Sequence, residues 1–413
     1  MRIAEVRLTP VAIPDKPLLN CKGVHQPFAL RTIIEMICDD GTIGLGESYG
    51  SIKALDGLRR AAPAMVGLDP FHIHDLGARV LAAIPEGGGI NAKSAVADHK
   101  VTDVVISAFE VPCMDIQGKL LERPVSDLLG GAVRSSVPFS AYLFFKFAGH
   151  IGQPPDAWGE VMTPDQMVGE ARRFVDLHGF RSLKLKGGVL HPDLEIETML
   201  KLREAFPNHP LRIDPNGGWT VETAKYIAKK LEGVLEYLED PVIGMDAMAE
   251  VAASTSIPLA TNMIVLEFDQ IADAFRKKAV KIVLSDHHYW GGMRAATHLG
   301  KLCQALEMGV SMHSNSHLGI TLAAMAHVAA ATPNLSYDCD THYPWTGVDV
   351  LEGDLFAFRD GALDVPTGAG LGVTLDPAKV ARLAALYEAG AERDDTAYMR
   401  KFDPDYERRV PRW

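Results

Sequence analysis

The chain has 413 residues, 47% of them hydrophobic, and a formal net charge of -12; that length suits two domains, one of them large, and the apolar fraction fills a sizeable core. The acidic balance repels nucleic acid and anionic lipid, so neither is an expected partner, and an anionic small molecule would need a local positive centre. The five cysteines, at 21, 38, 113, 303 and 339, show no CxxC pair or disulfide spacing, no secretion signal is read near Met1, and the apolar stretch Leu318–Ala331 is too short to span a bilayer, so a cytoplasmic location is expected.

In chain order, Arg2–Pro10 reads as extended, and Arg31–Cys38 and Thr42–Gly46 flank the turn Asp39-Asp40-Gly41 as a hairpin. Helical periodicity runs from Ser51 to about Ile84 and from about Val104 to Leu121. An α+β domain over residues 1–130 follows, its boundary marked by Gly130-Gly131. From Val137 onward short apolar strands alternate with helices, the pattern of βα units around a parallel sheet, and this barrel is placed at residues 131–370. One unit is legible in full: Thr163 is an N-cap, Pro164 opens the helix, Gln166 completes a capping box, Met167, Ala171 and Phe174 share a face, and Gly179 stops it.

Eight strands are expected to end at Phe144, Lys186, Asp214, Glu239, Asn262, Asp286, His313 and Asp340. From 186 to 340 these ends recur at intervals of 28, 25, 23, 24, 27 and 27 residues, the length of a strand, a helix and two loops. The series implies a (β/α)8-type barrel, in which strand ends converge on the C-terminal mouth, where such folds carry their sites.

Asp214, Glu239 and Asn262 end three successive strands and offer hard oxygen ligands that suit Mg2+. Asp214-Pro215-Asn216-Gly217 and Glu239-Asp240-Pro241 are also ordinary turn sequences, and it is their matched position that favours a metal site. Lys184 and Lys186 share the inner face of one strand, while Leu183 and Leu185 take the outer face. Two inward cations beside a dication should disfavour protonation of at least one, which makes Lys186 a candidate base. Asp286 and His313 end neighbouring strands and can form a dyad, in which the carboxylate orients the imidazole. Ser314 and Asn315 follow directly and are candidates for a substrate carboxylate or hydroxyl. His287, His288, His317 and His342 receive no chemistry. The parts suit proton abstraction next to a carboxylate, with a metal stabilising the enediolate and expulsion of a β-hydroxyl as water.

Several stretches carry a family likeness: Lys184-Leu185-Lys186-Gly187-Gly188, Ile213-Asp214-Pro215-Asn216-Gly217, Glu239-Asp240-Pro241, Ala260-Thr261-Asn262-Met263, His313-Ser314-Asn315-Ser316-His317 and Asp340-Thr341-His342. They resemble the enolase superfamily and, within it, the glucarate dehydratase group, in which asparagine rather than an acid stands at the position of Asn262. The resemblance implies a modified (β/α)8 barrel with an N-terminal α+β capping domain, and a C-terminal segment, 371–413, that returns to that domain. It also implies Mg2+ on Asp214, Glu239 and Asn262. His313, assisted by Asp286, would take the proton α to a carboxylate of D-glucarate, Lys186 would serve L-idarate, and 5-dehydro-4-deoxy-D-glucarate would form. Asn20 and His25 in an early lid loop, with Tyr142, Phe144 and Asp340, match substrate-lining positions.

Two departures from the group are His287, where proline is expected, and the segment Ile84–Lys100; the C-terminal Arg408, Arg409 and Arg412 match only loosely. Other readings are a dehydratase for another acid sugar such as galactarate, a lysine Schiff-base aldolase, and a catalytically silent binding protein of the same fold. A homo-oligomer is expected from the general habit of soluble enzymes.

Overall fold

In the computed structural model, residues 1–84, 100–391, 395–407 and 410–413 are described. The departure noted within Ile84–Lys100 and the arginines 408 and 409 therefore lie outside the described residues, apart from Ile84 and Lys100 themselves.

The N-terminal part holds β1 (Ile3–Pro14), the small ladder of β2 (Leu19–Asn20) with β3 (Gly23–Val24), β4 (Phe28–Cys38) and β5 (Ile43–Tyr49). Strands β1, β4 and β5 form an antiparallel sheet in that order, and the expected hairpin turns at Asp39–Thr42. The expected helical stretch after Ser51 is two helices, Ile52–Met65 and Ile73–Ala83, and the third helix runs from Val101 to Leu120. Alternation places Ile34 and Met36 on one face of β4, where they are buried with Leu58, Val105 and Phe109 of the helices. Gly44 of β5 lets the sheet approach this third helix closely, since a Cβ there would lie 2.1 Å from the Pro112 carbonyl oxygen.

The barrel strands are β6 (Ser136–Phe144), β7 (Leu183–Lys186), β8 (Leu211–Asp214), β9 (Tyr237–Glu239), β10 (Leu259–Thr261), β11 (Ile282–Ser285), β12 (Gly309–Met312) and β13 (Cys339–Thr341). They pair in parallel in the order β12-β11-β10-β9-β8-β7-β6-β13. The ring closes through the residues entering β13, where the amide of Ser336 donates to the Val310 carbonyl at 3.0 Å and the Ser311 hydroxyl to that of Asp338 at 2.8 Å. Seven of the strands lead to helices of 8 to 15 residues, whereas β13 leads only to the four-residue helix Tyr343–Thr346, which is the modification of the regular barrel. The helix Pro164–His178 has the expected capping box and ends at Gly179 with φ 68°, a left-handed turn that glycine adopts without a Cβ penalty. Strand β14 (Ala362–Asp364) adds antiparallel to the start of β6 and was not foreseen.

The C-terminal segment divides its contacts. Tyr387 and Ala391 pack with Ala12 and Leu55 of the N-terminal layers, but the last residues return to the barrel, where the amide of Thr220 donates to the Trp413 carbonyl at 2.6 Å. The Arg412 guanidinium lies 5.4 Å from the Trp413 ring centroid.

Two carboxylates from the N-terminal layers cap barrel helices. Glu110 accepts from the amides of Met293 and Arg294, and Glu47 from those of Leu318 and Thr321, satisfying orphan donors at helix starts. Glu47 is also held by Arg31 at 2.8 Å, both buried. Burial pushes the Glu47 carboxyl up, but Arg31, His317 and the two amides outweigh it and hold it below its usual value. A depressed folded-state pKa means that this stabilisation is complete above the unfolded value, about 4.5, and is lost as the pH falls through the folded one. Glu47→Gln is therefore expected to flatten the acid limb of stability below about pH 4.5, and Arg31→Met to cost about 3–5 kcal/mol at pH 7 by stranding the carboxylate. Denaturant midpoints measured at pH 7 and down that acid limb check this; an Arg31→Met protein as stable as wild type would refute it.

Among the described residues, no helix is long and apolar enough to cross a membrane, and all five cysteines are buried thiols outside any disulfide.

Candidate active site

The parallel register fixes which side chains meet: Phe144, Lys186 and Asp214 are level on β6, β7 and β8, and Tyr142 and Lys184 are level one pleat below. Lys184, fully buried, points its ammonium at Glu239 (2.6 Å), Asp340 (2.5 Å) and Asp214 (3.7 Å). Burial opposes the charge on Lys184, yet Asp340 and Glu239, then Tyr142 and Asp214, raise its pKa well above the usual range, so it stays an ammonium. The expectation that crowding by a second lysine would disfavour protonation therefore does not apply to Lys184, because carboxylates surround it more closely than any cation. Lys186 bonds Asp214 at 2.6 Å and Tyr142 at 3.2 Å, and its side chain keeps 12% exposure at the mouth.

Asp340, expected at the substrate, is fully buried against Lys184 instead, which gives it the place of a counter-ion. Tyr142 donates its hydroxyl to Asp214 at 3.1 Å and sits in an aromatic cluster with Phe144 and His342, both ring centroids lying 4.7 Å from its own. Phe144 also meets His25 at 5.8 Å, which brings one lid residue to the cluster. His25 is held by Asp15 at 3.1 Å. Asn20 turns inward on its own loop, accepting from the amide of Lys22 at 2.8 Å.

Asp214, Glu239 and Asn262 end adjacent strands and are buried. Burial raises Asp214, but Lys186 and Lys184 outweigh it and hold it below the usual carboxylate value. Glu239 is raised well above its usual value, first by burial and then by Asp214 and Asp340, against the pull of Lys184. The cluster thus has more carboxylate than its lysines neutralise. Among the described residues, Glu239 Oε1 and Asn262 Oδ1 are both buried without a hydrogen-bond partner, a costly state for lone oxygen acceptors. A hard dication on Asp214, Glu239 and Asn262 would satisfy both atoms and the surplus charge, so the residues fit Mg2+.

Asp240, passed over in the sequence as a turn residue, supports this set. Its φ of 37° turns the carboxylate back to accept from the Asn262 amide (2.8 Å) and the Thr261 hydroxyl (2.5 Å), fixing the third ligand. Burial, with Asp214 nearby, pushes Asp240 up to about 7.

Around the barrel, Asp286 Oδ2 lies 2.8 Å from His313 Nδ1, and Asp286 Oδ1 accepts from the His288 amide at 2.6 Å. Burial raises Asp286, but the hydrogen bond and charge of His313, with His287, bring it below its usual value. An ionised Asp286 fixes the proton on Nδ1 and leaves Nε2 as the available base nitrogen. The Tyr289 ring stacks on His313 at 5.6 Å and 21°. Ser314 accepts from the His342 amide at 3.1 Å, and Asn315 donates to the hydroxyls of Tyr49 (2.6 Å) and Tyr289 (3.2 Å). His342 is buried, and burial first, then His25, His317 and Lys186 nearby, drive its pKa well below its usual value, so it is neutral. Tyr49, Tyr289 and His342 escaped a reading confined to strand ends; only the placement of Tyr289 three residues after a strand-end acid was a usable signal.

Known proteins share this fold. Residues 166–379 match the family described as enolase C-terminal domain-like. The chain is 48% identical to a probable glucarate dehydratase of Streptomyces coelicolor, over 100% of this chain and 99% of that one. A crystal structure of an enolase from Mycobacterium smegmatis complexed with tartrate superposes with a TM-score of 0.95 at 51% identity, covering 100% of this chain and 98% of that one. One from Thermobispora bispora complexed with magnesium and formate gives 0.96 at 50% identity, with both chains fully covered. With strands, metal-fitting oxygens and dyad all at the mouth of one modified barrel beneath an N-terminal α+β layer, the chain belongs to the enolase superfamily.

Proposed function

We propose that the protein is a Mg2+-dependent acid-sugar dehydratase acting on D-glucarate and giving 5-dehydro-4-deoxy-D-glucarate. The observation that carries this reading is the pairing of His313 with Asp286 across the mouth from the Asp214, Glu239 and Asn262 oxygens. The 48% identity to a probable glucarate dehydratase supports the substrate, and the magnesium in the Thermobispora structure supports the metal.

Bound Mg2+ would supply the positive charge that acidifies the proton α to a substrate carboxylate. His313 Nε2 removes that proton while Asp286 balances the imidazolium that forms. The same imidazolium returns its proton to the departing β-hydroxyl, so water leaves and the ring is neutral again. Lys186, on the other side of the mouth, is placed to take the α proton of the epimer L-idarate. Lys184 stays charged as the counter-ion of Glu239, Asp340 and Asp214. Phe144 and His25 close the far end of the site. In this reading residues 1–130 cap residues 131–370, with 371–413 bridging the two, and the enzyme works as a cytoplasmic homo-oligomer.

Asn262 suits a doubly charged substrate, because Asp214 and Glu239 already neutralise the dication and a third carboxylate would repel the diacid. Asn262→Asp is expected to weaken D-glucarate binding at least tenfold with Mg2+ still bound, measured by calorimetry in the His313→Asn background. Equal affinity would remove this explanation. Dehydration itself is tested by incubating the protein with Mg2+ and D-glucarate and trapping the 2-keto product with semicarbazide.

A further inference from the structure

Asn315 is held by a residue that no strand-end pattern reveals. Its Nδ2 donates to both Tyr49 and Tyr289 hydroxyls, so both amide protons are engaged. The two tyrosine rings stack at 5.7 Å and 9°, and the Arg31 guanidinium lies 4.6 Å from the Tyr49 centroid, so Tyr49 is packed between named neighbours. Burial, then Tyr289 and Asp286, keep the Tyr49 hydroxyl protonated well above the usual phenol range.

Asn315 thus donates to both tyrosine oxygens, which turns its side-chain Oδ1 away from them. Asn315 is half-buried, and that Oδ1 has no protein partner among the described residues. An amide oxygen accepts and cannot donate, so it pairs with a hydroxyl and repels a carboxylate.

We propose that Tyr49 is a specificity-determining positioning residue: by holding the Asn315 amide it presents the carbonyl oxygen at the mouth as a reader of a substrate hydroxyl. The inference refines the acid-sugar reading above, since it distinguishes a hydroxylated diacid from a bare one. It also ties recognition to the N-terminal layers, because Tyr49 ends β5 while Asn315 follows β12.

The test compares tartrate with succinate, the same four-carbon diacid without hydroxyls, by calorimetry on the Mg2+-loaded protein and its Tyr49→Phe variant. No turnover is needed, so the result stands apart from whether D-glucarate is dehydrated. Wild type is expected to prefer tartrate, and Tyr49→Phe to cut that preference about tenfold by weakening tartrate alone. Asn315→Asp, which keeps an acceptor at the mouth, is expected to retain more tartrate preference than Asn315→Leu. A Tyr49→Phe protein that loses both ligands equally, or keeps the wild-type preference, overturns the proposal, as does Asn315→Asp behaving like Asn315→Leu.

Discussion

Replacing His313 by asparagine is expected to lower kcat for D-glucarate by about 10²–10⁴-fold, the usual worth of a positioned general base. The 2.8 Å contact from His313 Nδ1 to Asp286 shows what remains: an asparagine can still donate to that carboxylate, but it offers no basic nitrogen to the substrate. The fold and the proposed metal ligands, at the ends of β8, β9 and β10 rather than at β12, should be untouched. Loss of turnover must therefore appear with unchanged Mg2+ affinity. If the variant dehydrates D-glucarate within threefold of wild type, His313 is not the base.

Lys184→Met is expected to be among the most damaging single changes to stability. The ammonium is the shared counter-ion of Glu239, Asp340 and Asp214, all fully buried, and no other cation reaches Asp340 or Glu239 among the described residues. Removing one partner of a buried ionic cluster costs about 3–5 kcal/mol, because the charges left behind must repel one another or be protonated. Mg2+ should recover part of that loss by binding the folded state alone. The denaturant midpoint with and without Mg2+ measures both effects. A loss below about 1 kcal/mol would mean that the carboxylates do not depend on Lys184.

These residues also show why sequence carried part of the account and not the rest. Strand ends were legible because each barrel unit has a fixed length and closes on a polar residue: β7 ends at Lys186, β8 at Asp214 and β9 at Glu239, as the spacing requires. The dyad was legible for the same reason, as Asp286 and His313 lie one residue beyond β11 and β12. Partnership within the mouth was not. Spacing placed Asp340 at the mouth, but only side-chain reach shows it 2.5 Å from Lys184. Nor can periodicity see across domains: Tyr49 lies 266 positions from Asn315, and Arg31 lies 257 from His288. The break between Met65 and Ile73 was missed because both helices present apolar residues to one core, so a continuous periodicity hid the interruption. His287, unexpected for the group, is buried with its ring 4.1 Å from His288, and its Nδ1 has no partner among the described residues; we have no physical account of it.

The most direct measurement is turnover of D-glucarate by the purified protein with Mg2+, alongside galactarate and other acid sugars, scored as the semicarbazone of the 2-keto product and repeated after chelation. The expected result is a keto product from D-glucarate that disappears when Mg2+ is removed and returns when it is restored. No product from any acid sugar while Mg2+ is demonstrably bound would contradict the dehydratase reading and leave a silent binding protein in its place.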